Sequence, residues 1–213
     1  MTTRLDIISD PICPWCYIGK AKLDRALEAG GNPFEITWRP FQLNPDMPAE
    51  GMDRTEYLEA KFGKENAKGF YARIEQAAQE AGLDVDFAKI ARTPNTVDAH
   101  RVIRWAQTTG NQSAVVSQLF RRYFKEGQDI SDHAVLLDVA QSAGMEREIV
   151  ERLLAGDADR AEVIAEDTQA REMGVSGVPT FLIGGRYVVQ GAQEPAVWEK
   201  VIADLTAAVE AQG

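Results

Sequence analysis

Thiol and imidazole ligands are few in these 213 residues, two cysteines and two histidines. A zinc site needs about four ligands. His100 and His133 fall in separate predicted helices without paired spacing, so the count argues against a metal centre. A disulfide-stapled scaffold is disfavoured too, because one bridge between Cys13 and Cys16 closes a loop too small to restrict the unfolded chain much. No run approaches the roughly twenty apolar residues of a membrane span. Basic charge is also short, 23 residues against 33 acidic, and the formal net charge is −10. That balance argues against nucleic acid or an anionic membrane as the main partner. Much of the acidity lies from Asp157 onward, with ten acidic and four basic residues, a pattern expected of solvated helix faces. Internal repeats and low-complexity linkers are missing, so nothing points to a solenoid or a tethered pair of modules.

What is present is an ordinary globular composition, 45% hydrophobic and 26% charged. The length suffices for a full core, as one elaborated domain or two small ones. The chain is organised around its first thirty residues. Arg4–Ser9 is apolar and β-branched enough for a buried strand, broken by Asp10-Pro11-Ile12. Cys13-Pro14-Trp15-Cys16 follows. After it, Tyr17, Ile18, Ala21, Leu23, Ala26 and Leu27 recur at helical spacing. Cys13 therefore falls near a helix N-cap, Pro14 at the first helical position, and Cys16 one turn inside.

That junction has chemical consequences. The first amides of a helix carry outward partial positive charge, which favours a thiolate at Cys13. A lowered thiol pKa makes a cysteine a useful nucleophile or leaving group. Three-residue spacing brings the second sulfur within reach of the first, so the pair can exchange an internal disulfide with a partner through a mixed disulfide. Two unrelated buried thiols are the bland alternative. The strand-turn-helix context favours redox or thiol chemistry over it.

Gly30-Gly31-Asn32-Pro33 stops the first helix, and Phe34–Arg39 alternates as a second strand, giving a βαβ unit with parallel strands. From about residue 53 to 155 the pattern is helical, with six amphipathic segments. Their apolar sets are Tyr57, Leu58 and Phe62; Phe70, Ile74 and Ala78; Val97, Ile103 and Ala106; Val115 to Phe124; Val135 to Ala140; and Ile149 to Leu154. A long helix is expected over Asp157–Met173, ended by Gly174. Thr180–Ile183, a Gly184-Gly185 turn and Arg186–Gln190 read as a hairpin antiparallel to the first strand. Pro195–Glu210 reads as a final helix with Val197, Trp198, Val201, Ile202, Leu205 and Val209 inward. Ligands of open α/β sheets bind beyond the carboxyl ends of strands, and Cys13 follows such an end.

Pro179 opens a predicted strand, a tolerated place for a residue without an amide donor. Only about 5–6% of X-Pro bonds in folded proteins are cis, so trans is the reading on that ground alone. The combination of CPWC opening a helix with a distant Gly-Val-Pro-Thr-Phe before a hairpin resembles the thioredoxin superfamily. The helical insert resembles its DsbA class. Asp-Pro-Ile-Cys-Pro-Trp-Cys-Tyr-Ile-Gly and Trp38-Arg39-Pro40-Phe41-Gln42-Leu43-Asn44-Pro45 resemble, more narrowly, the FrnE-like branch beside the 2-hydroxychromene-2-carboxylate isomerases and kappa-class glutathione transferases. The resemblance implies an α/β thioredoxin-like fold with a large all-helical insertion. The thioredoxin-like part would be residues 1–44 and 156–213, and the inserted subdomain 45–155. It implies a cis Val178–Pro179 bond beside Cys13, with the Val178 backbone pairing with substrate. Cys13 would be the exposed nucleophile, Cys16 the resolving thiol, and Pro14 and Trp15 tuners of the couple. Trp15 equally suits a surface aromatic capping the helix.

The isomerase and transferase relatives usually carry serine where this chain has Cys13. The resemblance therefore favours a thiol–disulfide oxidoreductase acting on protein or small-thiol substrates. A glutathione-dependent isomerase or transferase is the alternative. Asn44, Asn95 and Gln193 are further substrate-binding candidates, Gln193 where relatives hold the γ-glutamyl end of glutathione; each also suits a turn-capping role. His100 reads as a packed or solvent-facing helix residue rather than a base. No cofactor is required, glutathione is the expected co-substrate, and relatives imply a homodimer. The N-terminus runs into the first strand without an apolar secretory segment. Together with the tendency of CxxC pairs in reducing compartments to be catalytic, this sets the expectation of a cytoplasmic protein.

Overall fold

The computed structural model describes residues 2–63 and 66–210. The first strand, β1 (Thr3–Ser9), leads into helix α1 (Pro14–Gly30) and strand β2 (Phe34–Pro40). The insert follows as β3 (Met52–Asp53), α2 (Arg54–Phe62), α3 (Asn66–Glu80), β4 (Arg92–Thr93), α4 (Val97–Trp105), α5 (Gln112–Phe124), α6 (His133–Ser142) and α7 (Arg147–Leu154). The chain returns through α8 (Arg160–Glu172), β5 (Thr180–Ile183), β6 (Tyr187–Gln190) and α9 (Pro195–Glu210).

The main sheet runs β2-β1-β5-β6. β2 lies parallel to β1 with Ile7 opposite Trp38, while β5 lies antiparallel with Ile7 opposite Phe181. Leu5 and Ile7 are buried on one face and Ile8 on the other, as expected of a central strand covered on both sides. The hairpin closes on Gly184 and Gly185, both at positive φ, and Arg186 N donates to Ile183 O at 3.1 Å. Two consecutive left-handed glycines make the turn, and Arg186 completes the three-residue loop between the paired Ile183 and Tyr187. This is the α/β thioredoxin-like architecture the resemblance implies.

The helices of the insert share one apolar core with the sheet. Phe120, Phe124, Leu119 and Val116 belong to the same cluster of buried residues as Leu5, Ile7, Cys13 and Cys16. Tyr17, next to Cys16, stacks on Phe120 and Phe124 with ring centroids 5.1 and 5.7 Å apart. Helix α1 is thereby packed directly onto α5.

Three features differ from the sequence reading. The β3–β4 ladder pairs only Met52 with Thr93 and Asp53 with Arg92, too short for any alternation. α8 begins at Arg160 rather than Asp157, because Asp159 is left-handed at φ 56 and its carboxylate accepts from Trp105 Nε1 at 2.8 Å and Arg104 Nε at 3.1 Å. On α9, Trp198 and Ile202 are buried but Val197 is exposed, one residue off the buried stripe. The side chains of Phe70 and Val209 lie outside the described residues.

Candidate active site

β1 delivers the chain to the site and α1 carries it away. Between them Cys13 N donates to Asp10 O at 2.9 Å, and Cys16 N donates back to Cys13 O at 3.1 Å. Cys13 is the N-cap of α1, with Pro14 in the first helical turn, but its sulfur makes no capping hydrogen bond. Instead Cys13 Sγ donates to Val178 O at 3.6 Å. The Val178–Pro179 peptide is cis, and Gly19 of α1 approaches it so closely that a Cβ added there would sit 3.0 Å from Pro179 Cγ. The resemblance implied an exposed nucleophile; Cys13 is instead only 4% exposed in the dithiol form, since it packs within the core and under the Val178 carbonyl.

Cys16 lies deeper, at 1% exposure. Burial pushes its thiol well above the ordinary value, reinforced by its hydrogen bond with Cys13; the Ser9 side chain and the Asp10 backbone pull the other way. The two sulfurs are thus in contact with each other, one aimed at the Val178 carbonyl and the other held protonated beneath it.

A buried polar cluster adjoins the turn that carries Cys13. Asp10 is fully buried. Its Oδ1 accepts from Ile12 N at 3.3 Å and its Oδ2 from Leu43 N at 2.7 Å, with a further bond to the Thr96 side chain. Burial pushes its carboxyl up to about 7, against the pull of those hydrogen bonds. His100 is buried too, its Nε2 3.1 Å from Phe41 O and 3.9 Å from Asp10 Oδ1. Burial lowers it to about 4, so it is neutral at physiological pH. Asp167 of α8 accepts from Gln42 N at 2.9 Å and pairs with Arg171, whose guanidinium lies over the Phe41 ring. Sequence reasoning treated Asp10 only as a strand breaker. The available signal was a charged residue immediately after a buried strand and before the cysteines, a place where burial demands partners.

The other candidates fall into two groups. Pro14, Trp15, Val178 and Pro179 surround the cysteines, and Trp15 is half-buried against both α1's core and that of α3. Asn44 points elsewhere: its Oδ1 accepts from Tyr57 Oη at 2.9 Å and Lys61 Nζ at 3.1 Å. Its buried Nδ2 has no partner among the described residues. Asn95 closes its own loop, donating to Met47 O at 2.7 Å and accepting from Val97 N at 3.0 Å. Gln193 donates to Gln190 O at 2.6 Å across the turn before α9. The capping geometry of Asn95 and Gln193 is the bland reading of such residues. Among the described residues no three metal-ligating side chains converge, and no helix is long and apolar enough to cross a membrane.

The DSBA-like thioredoxin domain family matches residues 4–203 of the chain. Among curated proteins, the "Uncharacterized protein YwbO" of Bacillus subtilis (strain 168) is 27% identical over 208 residues, covering 96% of this chain and 98% of that protein. Among solved structures, the "probable DsbA oxidoreductase SCO1869" from Streptomyces coelicolor is 30% identical with a TM-score of 0.84, covering 95% of this chain and 89% of that one. The "Cytosolic disulfide reductase DsbM" from Pseudomonas aeruginosa, solved with GSH, shares the fold at 19% identity and a TM-score of 0.70, over 96% of this chain and 99% of that one.

Proposed function

Because the chain belongs to the DSBA-like thioredoxin domain family, we propose that it is a thiol–disulfide oxidoreductase that exchanges a Cys13–Cys16 dithiol or disulfide with protein or small-thiol substrates. The observation that carries the reading is the 3.6 Å contact of Cys13 Sγ with Val178 O beside a cis proline. It leaves the reactive sulfur against the backbone end of an extended segment, where a substrate strand can lie alongside.

In the reducing direction, the Cys13 thiolate attacks a substrate disulfide, forming a mixed disulfide and expelling one substrate thiolate. Cys16, once deprotonated, attacks Cys13 Sγ and expels the second, leaving the Cys13–Cys16 disulfide. Oxidation of a substrate dithiol is the same sequence reversed. Trp15 and Pro14 shape the entrance. A cavity of about 390 Å³ is lined by Leu43, Asn44, Met47, Tyr57 and Lys61, and its Leu43 packs on the same Ile8–Phe41–Ala170 cluster as Val178. Asn44, held by Tyr57 and Lys61, stands in the wall we assign to substrate there, with glutathione as the small-thiol candidate. Asn95 would serve by holding the Met47 loop of its wall, and Gln193 by shaping the turn before α9. The reading includes a cytoplasmic location, where thiols stay reduced.

The test is reduction of insulin disulfides by the reduced protein and oxidation of a dithiol peptide by its oxidised form. Both activities are expected, and both are expected to vanish in Cys13→Ser. Retention of either by that variant overturns the mechanism. Turnover of a chromene carboxylate that survives Cys16→Ala, without any exchange activity, would place the chain with the glutathione-dependent isomerases instead.

A further inference from the structure

We propose that the cavity between α8 and the Ile8 face of the main sheet is a binding site for a free α-amino acid with an apolar side chain, its carboxylate taken by Arg39 and Arg4 and its ammonium by Glu166. The inference goes beyond the exchange reading and does not depend on it.

The cavity measures about 260 Å³, at the small end of ligand pockets. Strand alternation decides which side chains reach it. Arg4, Asp6 and Ile8 share one face of β1, with Arg39 of β2 opposite Ile8 and Leu182 of β5 opposite Asp6. Leu5 and Ile7, which share a cluster with both cysteines, occupy the other face. A central strand covered on both sides is normally apolar on both faces. Here Asp6 is only 3% exposed, and α8 brings a second carboxylate, Glu166, to the same cavity. Well-packed apolar side chains of similar volume are often at least as stabilising as a buried ion pair, so packing alone gives no reason for charges at these positions.

The hydrogen bonds leave particular groups unused. Asp6 holds the two arginines: Oδ1 accepts from Arg4 Nη2 at 2.8 Å and from Arg39 Nε at 3.0 Å, and Oδ2 lies 2.7 Å from Arg4 Nε. Glu166 Oε1 accepts from Arg104 Nη1. Arg39 Nη1 and Glu166 Oε2 stand 3.6 Å apart, too far for a hydrogen bond. Among the described residues neither terminal nitrogen of Arg39 donates a hydrogen bond, and Glu166 Oε2 accepts none.

A cation and an anion thus stand side by side with bonding edges to spare. A ligand that carries both charges on one carbon can bridge them, and that group is the α-amino acid. Its carboxylate takes the outer guanidinium edges of Arg39 and Arg4, and its ammonium takes Glu166 Oε2. The lining itself holds two positive and two negative side chains, Arg4 and Arg39 against Asp6 and Glu166. A neutral zwitterion matches that balance, whereas a simple anion or cation leaves one of the two edges unpaired. Ile8, Ala170, Leu182 and Met173 supply the apolar wall. Met173 is 61% exposed, apolar surface that an aliphatic side chain would cover.

The experiment titrates the full chain, labelled with 13C at Ile, Leu and Met methyls, with L-leucine. Saturable shifts are expected at Ile8, Leu182 and Met173, with Ile12 and Ile18, which flank the cysteines, unmoved. Isocaproate lacks the ammonium and isoamylamine the carboxylate, and each is expected to bind about tenfold or more weakly. Glu166→Gln should lower the affinity for leucine by a similar factor and leave that for isocaproate unchanged, a pattern that general damage to the fold cannot produce. Four results overturn the proposal: no saturable shift in the millimolar range, shifts centred on Ile12 and Ile18, equal affinity for leucine and either single-charge analogue, or undiminished leucine binding by Glu166→Gln. The native-chain arms decide the matter even if that variant does not fold. No arm reads thiol exchange, so failure of the oxidoreductase reading and failure of this site are seen separately.

Discussion

Asp10 Oδ1 and His100 Nε2 stand 3.9 Å apart, and both residues are cut off from solvent. Burial pushes the two in opposite directions, Asp10 up to about 7 and His100 down to about 4. Between about pH 4 and 7 the folded Asp10 binds a proton that the unfolded chain has released, so this group makes stability fall as pH rises. Between about pH 4 and 6.5 the unfolded His100 binds a proton that the folded state refuses, so this group makes stability rise with pH. The two slopes oppose each other, and the native protein is expected to be nearly flat over that window. Asp10→Asn should expose the histidine slope, a gain on the order of 3 kcal/mol from pH 4 to 6.5. His100→Gln should expose the aspartate slope, a comparable loss from pH 4 to 7. Urea unfolding of the three proteins at several pH values measures this; parallel curves for all three would show that neither group titrates there.

The depth of the two sulfurs predicts their chemical order. Cys16 is buried with its thiol held well above the ordinary value, so iodoacetamide at neutral pH should label Cys13 first and leave Cys16 unmodified until the chain is unfolded. In Cys16→Ala no resolving attack is available, and a mixed disulfide through Cys13 should accumulate with a disulfide substrate. Intact-mass measurement reads both. Preferential labelling of Cys16 in the native state would contradict the arrangement.

Gly19 predicts a separation of stability from activity. In a helix interior Ala is favoured over Gly by about 1 kcal/mol. Here the added Cβ would stand 3.0 Å from Pro179 Cγ and 3.5 Å from the Ala192 backbone. Gly19→Ala should therefore displace the 178–179 segment from Cys13 and slow exchange about tenfold or more, with a melting temperature changed by only a few degrees. Unchanged kinetics would mean that the segment yields without cost to the contact.

Arg101 gives the clearest folding prediction. Its guanidinium is fully buried, takes the carbonyls of Leu153, Gly156 and Ala158, pairs with Asp98 at 2.8 Å and lies over the Trp105 ring. Arg101→Met removes the donor and strands three carbonyls at the end of α7. A loss of about 3–5 kcal/mol is expected, with exchange per folded molecule unaltered. Denaturant midpoints and activity normalised to folded protein test the two halves.

The legible parts of this chain were those with local punctuation. Gly31, Gly174 and the Gly184-Gly185 pair mark ends and turns because only a residue without Cβ takes those conformations freely. The strand before CPWC and the apolar spacing after it placed Cys13 at a helix cap, where it stands. Less legible were features made by distant partners. Asp159 breaks the expected start of α8 because Trp105 and Arg104 claim its carboxylate from more than fifty residues away. Asn95 and Gln193 looked equally suited to a ligand and to a turn, and only coordinates show their amides engaged locally. Asp10 carried no periodic signal, since its partners Leu43, Thr96 and His100 come from two other parts of the chain.

The hydrogen bond from Cys13 to the Val178 carbonyl exists only while that sulfur carries a hydrogen. Once the bridge to Cys16 closes, the carbonyl loses this donor and is free to take one from a visitor's backbone. On the proposed exchange, the oxidised molecule would be the stickier of the two, and handing over its disulfide would restore the internal bond and help push the finished product away.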